Sequence, residues 1–118
     1  MNATFGEFLR KSRSQKAAID RTYSVRGLAL KVGIQPSYLS KIERGLQPPP
    51  GEDTIKRLAT ELGEDPDVLL ALAGKVSSDL QEIIRKRPEL FSKLIRELKS
   101  MPDHALLRIV REVRDGDW

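Results

Sequence analysis

The stretch Val25–Gly45, VRGLALKVGIQPSYLSKIERG, constrains this chain more than any other. Leu28, Ala29, Val32, Ile34, Leu39 and Ile42 recur at helical spacing and form one inward-facing set. Arg26, Lys31, Ser37, Ser40, Lys41 and Arg44 fill the outward positions. Two short helices joined near Gly33 satisfy both patterns. Gly33 fits the position just past a helix end, where a residue without a Cβ takes positive φ easily. Pro36 fits the first turn of the next helix, because its missing N–H would have no helical partner there. Gly45 then closes that helix. Its outer face carries small and basic side chains, a surface suited to a polyanion.

Charge placement points the same way. Residues 1–48 hold nine basic and three acidic side chains, a net of +6, while the remainder is −2. A basic first half with a near-neutral second half fits a polyanion-binding module carrying an appendage, although a solvated basic surface would have the same composition. At 118 residues the chain suits one domain with a small extension. No apolar run approaches the roughly 20 residues of a membrane span. The N-terminal MNATFGEFLRKSRSQ lacks a signal-peptide pattern. The absence of cysteine excludes disulfides and thiolate metal sites, and a cytoplasmic protein without a membrane partner is expected.

The flanking segments predict further helices. Thr4 and Glu7 have capping-box spacing, so a helix is expected from about Phe5, with Phe5, Phe8, Leu9 and Ser12 on one face. A break is expected around Ile19–Tyr23, with Ser24 as the cap of the helix that follows. GLQPPPG is a stiff connector. Glu52–Leu62 carries Ile55, Leu58, Ala59 and Leu62 along one stripe. Asp65-Pro66 opens a fifth helix, whose buried face is expected to be Val68, Leu69 and Leu72. The fold class is therefore all-α, with a five-helix domain over residues 1–74. Three short helices over 75–118 complete it, starting near Ser77 or Ser78, Pro88 and Pro102-Asp103. Their apolar stripes should bury against the first domain, a second copy of the chain, or both.

Residues 4–73 resemble the lambda-repressor-like, Cro/XRE-type helix-turn-helix family of DNA-binding domains. The resemblance rests on Phe5-Gly6-Glu7-Phe8-Leu9-Arg10 with Arg13, Leu28-Ala29, Gly33-Ile34 and Ser37-Tyr38-Leu39-Ser40-Lys41-Ile42-Glu43-Arg44-Gly45. Pro50, Thr54-Ile55, Leu58-Ala59 and Leu62-Gly63 follow in order. It implies that residues 25–44 form the helix-turn-helix, that the third helix enters the major groove, and that a homodimer binds a palindromic operator. Base-reading roles then fall on Pro36, Ser37, Ser40 and Lys41. Phosphate roles fall on Gln35, Tyr38, Arg44 and Gln47. Arg13 and Glu43 take the positions of a structural ion pair. The family's usual glutamine after the second helix's cap is Val25 here, so Arg26 is assigned that phosphate contact. The Arg13–Ser24 segment is about five residues longer than in the family. Pro36 has no donor and can offer a base only apolar contact.

Each role has a plainer counterpart. Lys41 fits guanine O6 and N7, but equally a phosphate. Ser37 and Ser40 suit water-mediated contact. Tyr38 shares a stripe with Leu39 and Ile42 and fits core packing as well as a phosphate bond. Arg44 would stabilise a helix C-terminus in any case. His104, the sole histidine, has no companion ligand, and no carboxylate pair, nucleophile–base set or glycine-rich phosphate loop appears. No catalytic residue, metal site or cofactor is expected. The expected function is a sequence-specific transcriptional regulator on double-stranded DNA. The alternative is an antitoxin-like module whose residues 77–118 bind a partner protein.

Overall fold

The computed structural model describes residues 3–116, and its regular elements are helices. They are α1 (Ala3–Ala17), α2 (Val25–Val32), α3 (Pro36–Glu43), α4 (Glu52–Leu62) and α5 (Pro66–Leu72), then α6 (Ser78–Lys86), α7 (Pro88–Leu98) and α8 (Asp103–Asp115), with a 3₁₀ turn at Arg21–Tyr23. The chain divides into two compact units between Ser77 and Ser78.

In the first unit, α1–α5 enclose one core. Phe5 and Leu9 come from α1, Leu28, Ala29 and Val32 from α2, and Leu39 and Ile42 from α3. Ile55, Leu58, Ala59 and Leu62 come from α4, and Leu69 and Leu70 from α5. Ile34, between α2 and α3, is half-buried against this set. Burying one such leucine stabilises the fold by roughly 1.5–3 kcal/mol, which is why so short a set of helices holds together.

Local chemistry sets the boundaries. Ser24 Oγ accepts from Gly27 N at 3.0 Å and starts α2. Asp65 Oδ1 accepts from Asp67 N at 2.8 Å and starts α5. Helices α2 to α5 all end alike, with glycine at positive φ (Gly33, Gly45, Gly63 and Gly74). The next residue then donates back to the final turn: Ile34 N to Ala29 O at 3.0 Å, Leu46 N to Lys41 O at 2.8 Å, Glu64 N to Ala59 O at 2.9 Å and Lys75 N to Leu70 O at 2.9 Å. Carbonyls that the helix leaves unmatched are thereby satisfied. Lys75 Nζ also donates to Pro50 O at 2.8 Å, tying the end of the unit to the proline connector.

Two expectations need correction. The α5 face is rotated: Leu69 and Leu70 are buried while Val68 is 50% exposed and Leu72 only half-buried. PDVLLAL is apolar nearly throughout, so periodicity cannot choose its inner face; packing against α4 does. Thr4 lies inside α1 and does not precede it, since the helix already includes Ala3.

The second unit has another character. Helices α6, α7 and α8 contain no buried residue. Their stripes are only partly covered: Ile84, Phe91, Leu98, Leu106 and Ile109 are half-buried, while Ile83 at 44%, Leu94 at 47%, Leu107 at 53% and Val113 at 60% exposure stay open to solvent. Among the described residues, no helix is long and apolar enough to cross a membrane.

Candidate nucleic-acid interface

Helix α3 sorts its residues by side. Leu39, Ile42 and Glu43 are buried, whereas Ser37, Lys41 and Arg44 are exposed and Pro36 and Ser40 half-buried. Positions 36, 37, 40, 41 and 44 follow one another along a single helical face. The sequence thus fixes three anchors inward and leaves a continuous outer strip of two hydroxyls, a lysine, an arginine and a proline ring. Pro36 occupies the first turn after Gln35, an exposed N-cap residue whose side chain makes no capping bond. Tyr38 is half-buried and packs against the core. Gln47 is half-buried in the loop beyond α3, and Arg26 is exposed on α2.

Arg13 is the joint that holds this arrangement. Its Nε donates to Glu43 Oε2 at 2.6 Å and its Nη2 to Glu43 Oε1 at 3.0 Å. Its Nη1 donates to Tyr23 O at 3.2 Å. One guanidinium therefore fastens α1 to α3 and to the turn that leads into α2. The two side chains are only 12% and 4% exposed, so each charge is matched by the other where little water reaches. Gly6, two turns earlier on α1, permits the approach. A Cβ there would lie 2.7 Å from Glu43 O and closer still to Ile42 O.

The long segment before Ser24 is a compact turn. Asp20 Oδ1 accepts from Thr22 N at 2.9 Å and from Thr22 Oγ1 at 2.7 Å. These bonds, the hydroxyl's first, hold the Asp20 carboxyl below the ordinary carboxylate range, with smaller help from Lys31 and Lys16. The Tyr23 ring lies near both ammonium groups, 5.3 Å from Lys16 Nζ and 5.0 Å from Lys31 Nζ. Lys31, an outward position by sequence pattern, is thus engaged with the turn and not with the α3 strip. Gly27 lets the turn pack on α2, because a Cβ there would stand 2.7 Å from the Thr22 carbonyl carbon.

One residue near the strip has no role assigned from the sequence. Arg10 lines a cleft of about 180 Å³ together with Arg13, Val25, Ser40, Glu43 and Arg44. Arg44 donates its Nε to Ser40 O at 3.3 Å, which lays the side chain back along α3. Arg10 shares a stripe of α1 with Gly6 and Arg13, and the α1–α3 contact brings that stripe here. His104 is exposed on α8, and among the described residues no three His, Cys, Asp or Glu side chains gather as a metal site.

A family model described as helix-turn-helix matches residues 15–69. The HTH-type transcriptional regulator SlrR of Bacillus subtilis (strain 168) is 31% identical over 117 residues, spanning 87% of this chain and 74% of SlrR. The uncharacterized HTH-type transcriptional regulator RghRB of the same organism is 37% identical over 79 residues, covering 67% of this chain and 53% of RghRB. Among solved structures, a chain from a SinR protein/SinI protein complex is similar at a TM-score of 0.50 and 27% identity, covering 90% of this chain and 98% of that one.

Proposed function

This chain belongs to the Cro/XRE-type helix-turn-helix family of DNA-binding transcriptional regulators, and we propose that it reads a palindromic operator as a homodimer with α3 in the major groove. The observation that carries this reading is the sorting of α3, whose inner residues are locked in the core while Ser37, Ser40, Lys41 and Arg44 face outward together. Ser37, Ser40 and Lys41 supply the base contacts, with Pro36 limited to a thymine methyl. Arg26, Gln35, Tyr38, Arg44 and Gln47 hold phosphates, which fix register without reading sequence.

DNA binding falls to residues 1–74 and association to 75–118. The open stripes of α7 and α8 support a second copy as the partner, because a strip this apolar is costly to leave in water. A two-fold dimer would set its reading helices about 34 Å apart, one turn of DNA. Selection of bound sites from a random duplex library, with wild type beside Lys41→Ala and Ser37→Ala, tests the reading. Loss of about 1–3 kcal/mol of discrimination at one or two base pairs is expected. Unchanged base preferences in both variants would defeat the assignment. Removing residues 78–118 should leave a monomer by sedimentation, and a truncated chain that still dimerises would defeat the role given to the tail.

A second reading has its own support. The structural neighbour is named as a complex of two different proteins, and it covers most of this chain, tail included. A partner protein seated on α6–α8 would then regulate DNA binding. A stoichiometric protein co-purifying with the full chain, and lost with the tail, distinguishes this from the homodimer.

A further inference from the structure

We propose that the cleft between α1 and the C-terminal end of α3 seats a backbone phosphate of the bound duplex, with Arg10 as its donor from α1. The inference rests on the DNA-binding reading and adds a contact that the α3 strip does not contain. Gly6, Arg10 and Arg13 lie at i, i+4 and i+7 of α1, so they share one stripe. Gly6 abuts the carbonyls of Ile42 and Glu43, and Arg13 grips the Glu43 carboxylate. Arg10 stands between these two contacts and is therefore delivered to the end of α3.

The charges in the cleft do not cancel. Both Glu43 oxygens are taken by Arg13, which neutralises that pair within the wall of the cleft. The Val25 side chain carries no charge. Arg10 and Arg44 remain, both exposed and neither in an ion pair among the described residues. Arg44 holds a backbone carbonyl through Nε alone, so its two terminal nitrogens stay available. Two arginines lining one cleft suit a monoanion with two free oxygens, which is what a phosphodiester presents. The cleft also shares Ser40 and Arg44 with the outer strip of α3. A duplex laid on that strip brings its backbone to this opening.

A purely structural role would have Arg10 only stabilise the carbonyl end of α3. The two roles separate by salt dependence. Full-length wild type, Arg10→Gln, Arg10→Lys and Lys11→Gln would be titrated by fluorescence anisotropy against a selected operator and an unrelated duplex at several salt concentrations. Arg10→Gln should lower the slope of log affinity against log salt by about 0.9, the loss of one phosphate contact. It should weaken both duplexes by the same factor and leave base preferences intact. Arg10→Lys should keep most of the slope, and Lys11→Gln should keep the wild-type slope. An Arg10→Gln slope equal to wild type, with or without a lower melting temperature, would overturn the phosphate seat. If wild type bound neither duplex, the DNA-binding reading would fail first, and the two failures are told apart by that measurement.

Discussion

Helices α4 and α7 are each 11 residues long, and each carries its apolar residues along one stripe. Yet α4 buries Ile55, Leu58, Ala59 and Leu62, while α7 buries none, and its Leu90 and Ile95 are 64% and 57% exposed. An amphipathic stripe declares that a helix has a side to cover without saying what covers it. In the first unit several helices converge on α4 from different directions. In the second, three short helices in series enclose no interior. The ends differ as well: α2–α5 close on glycines at positive φ, whereas α8 closes on Gly116 at φ −70°. Ion pairs follow suit, with Arg13–Glu43 shielded from water and Arg85–Glu82 at 62% and 65% exposure.

The largest expected effect tests that last difference. Arg13→Met leaves the Glu43 carboxylate buried without its partner and should cost about 3–5 kcal/mol in urea unfolding. Arg13→Met with Glu43→Leu should recover much of it. Arg85→Ala, by contrast, should change stability by less than about 1 kcal/mol. Equal losses at the two sites would erase the distinction between the units.

Next come the stripes themselves. Leu58→Ala should cost about 2–5 kcal/mol through the lost transfer energy and the cavity left behind. Leu94→Ala, measured at concentrations dilute enough to keep the chain monomeric, should stay within about 0.5 kcal/mol of wild type. A large loss at Leu94 under those conditions would mean that the second unit has a core of its own. Ser24→Ala removes the cap of α2 and should cost about 1 kcal/mol, read as a lower urea midpoint.

The smallest effect belongs to Asp20. Its folded pKa lies below the ordinary 3.8, so its bonds to Thr22 stabilise the fold above that value and fade as pH falls through the folded one. Asp20→Asn should therefore melt slightly lower than wild type at neutral pH and converge with it in strong acid. A difference that persists in acid would assign the effect to something other than the carboxylate.

Legibility in the sequence followed the range of the forces. Ser24, Gly33, Pro36, Gly45, Gly63 and Asp65-Pro66 mark element ends through bonds to residues a few positions away, and those boundaries emerge where local chemistry places them. The α3 strip was equally visible, because alternation of buried and exposed positions within one helix is a local fact. The inner face of α5 was not, since an almost wholly apolar helix needs its neighbour to choose for it. Nor could spacing reveal the Ser12–Glu64 bond at 2.8 Å, which joins residues 52 apart. Arg10 falls between the two classes: spacing sets it on one stripe with Gly6 and Arg13, but only the fold shows that this stripe meets α3.

The division of labour within α3 also bears on how such a protein can change over generations. Leu39, Ile42 and Glu43 are the buried residues of the helix, whereas Ser37 and Lys41 are exposed. On the proposed reading, exchanges at 37, 40 and 41 alter what is recognised while leaving the buried side of the helix untouched. Under that proposal recognition and foldedness are heritable almost independently, and a duplicated copy could drift to a new target without first passing through an unfolded intermediate.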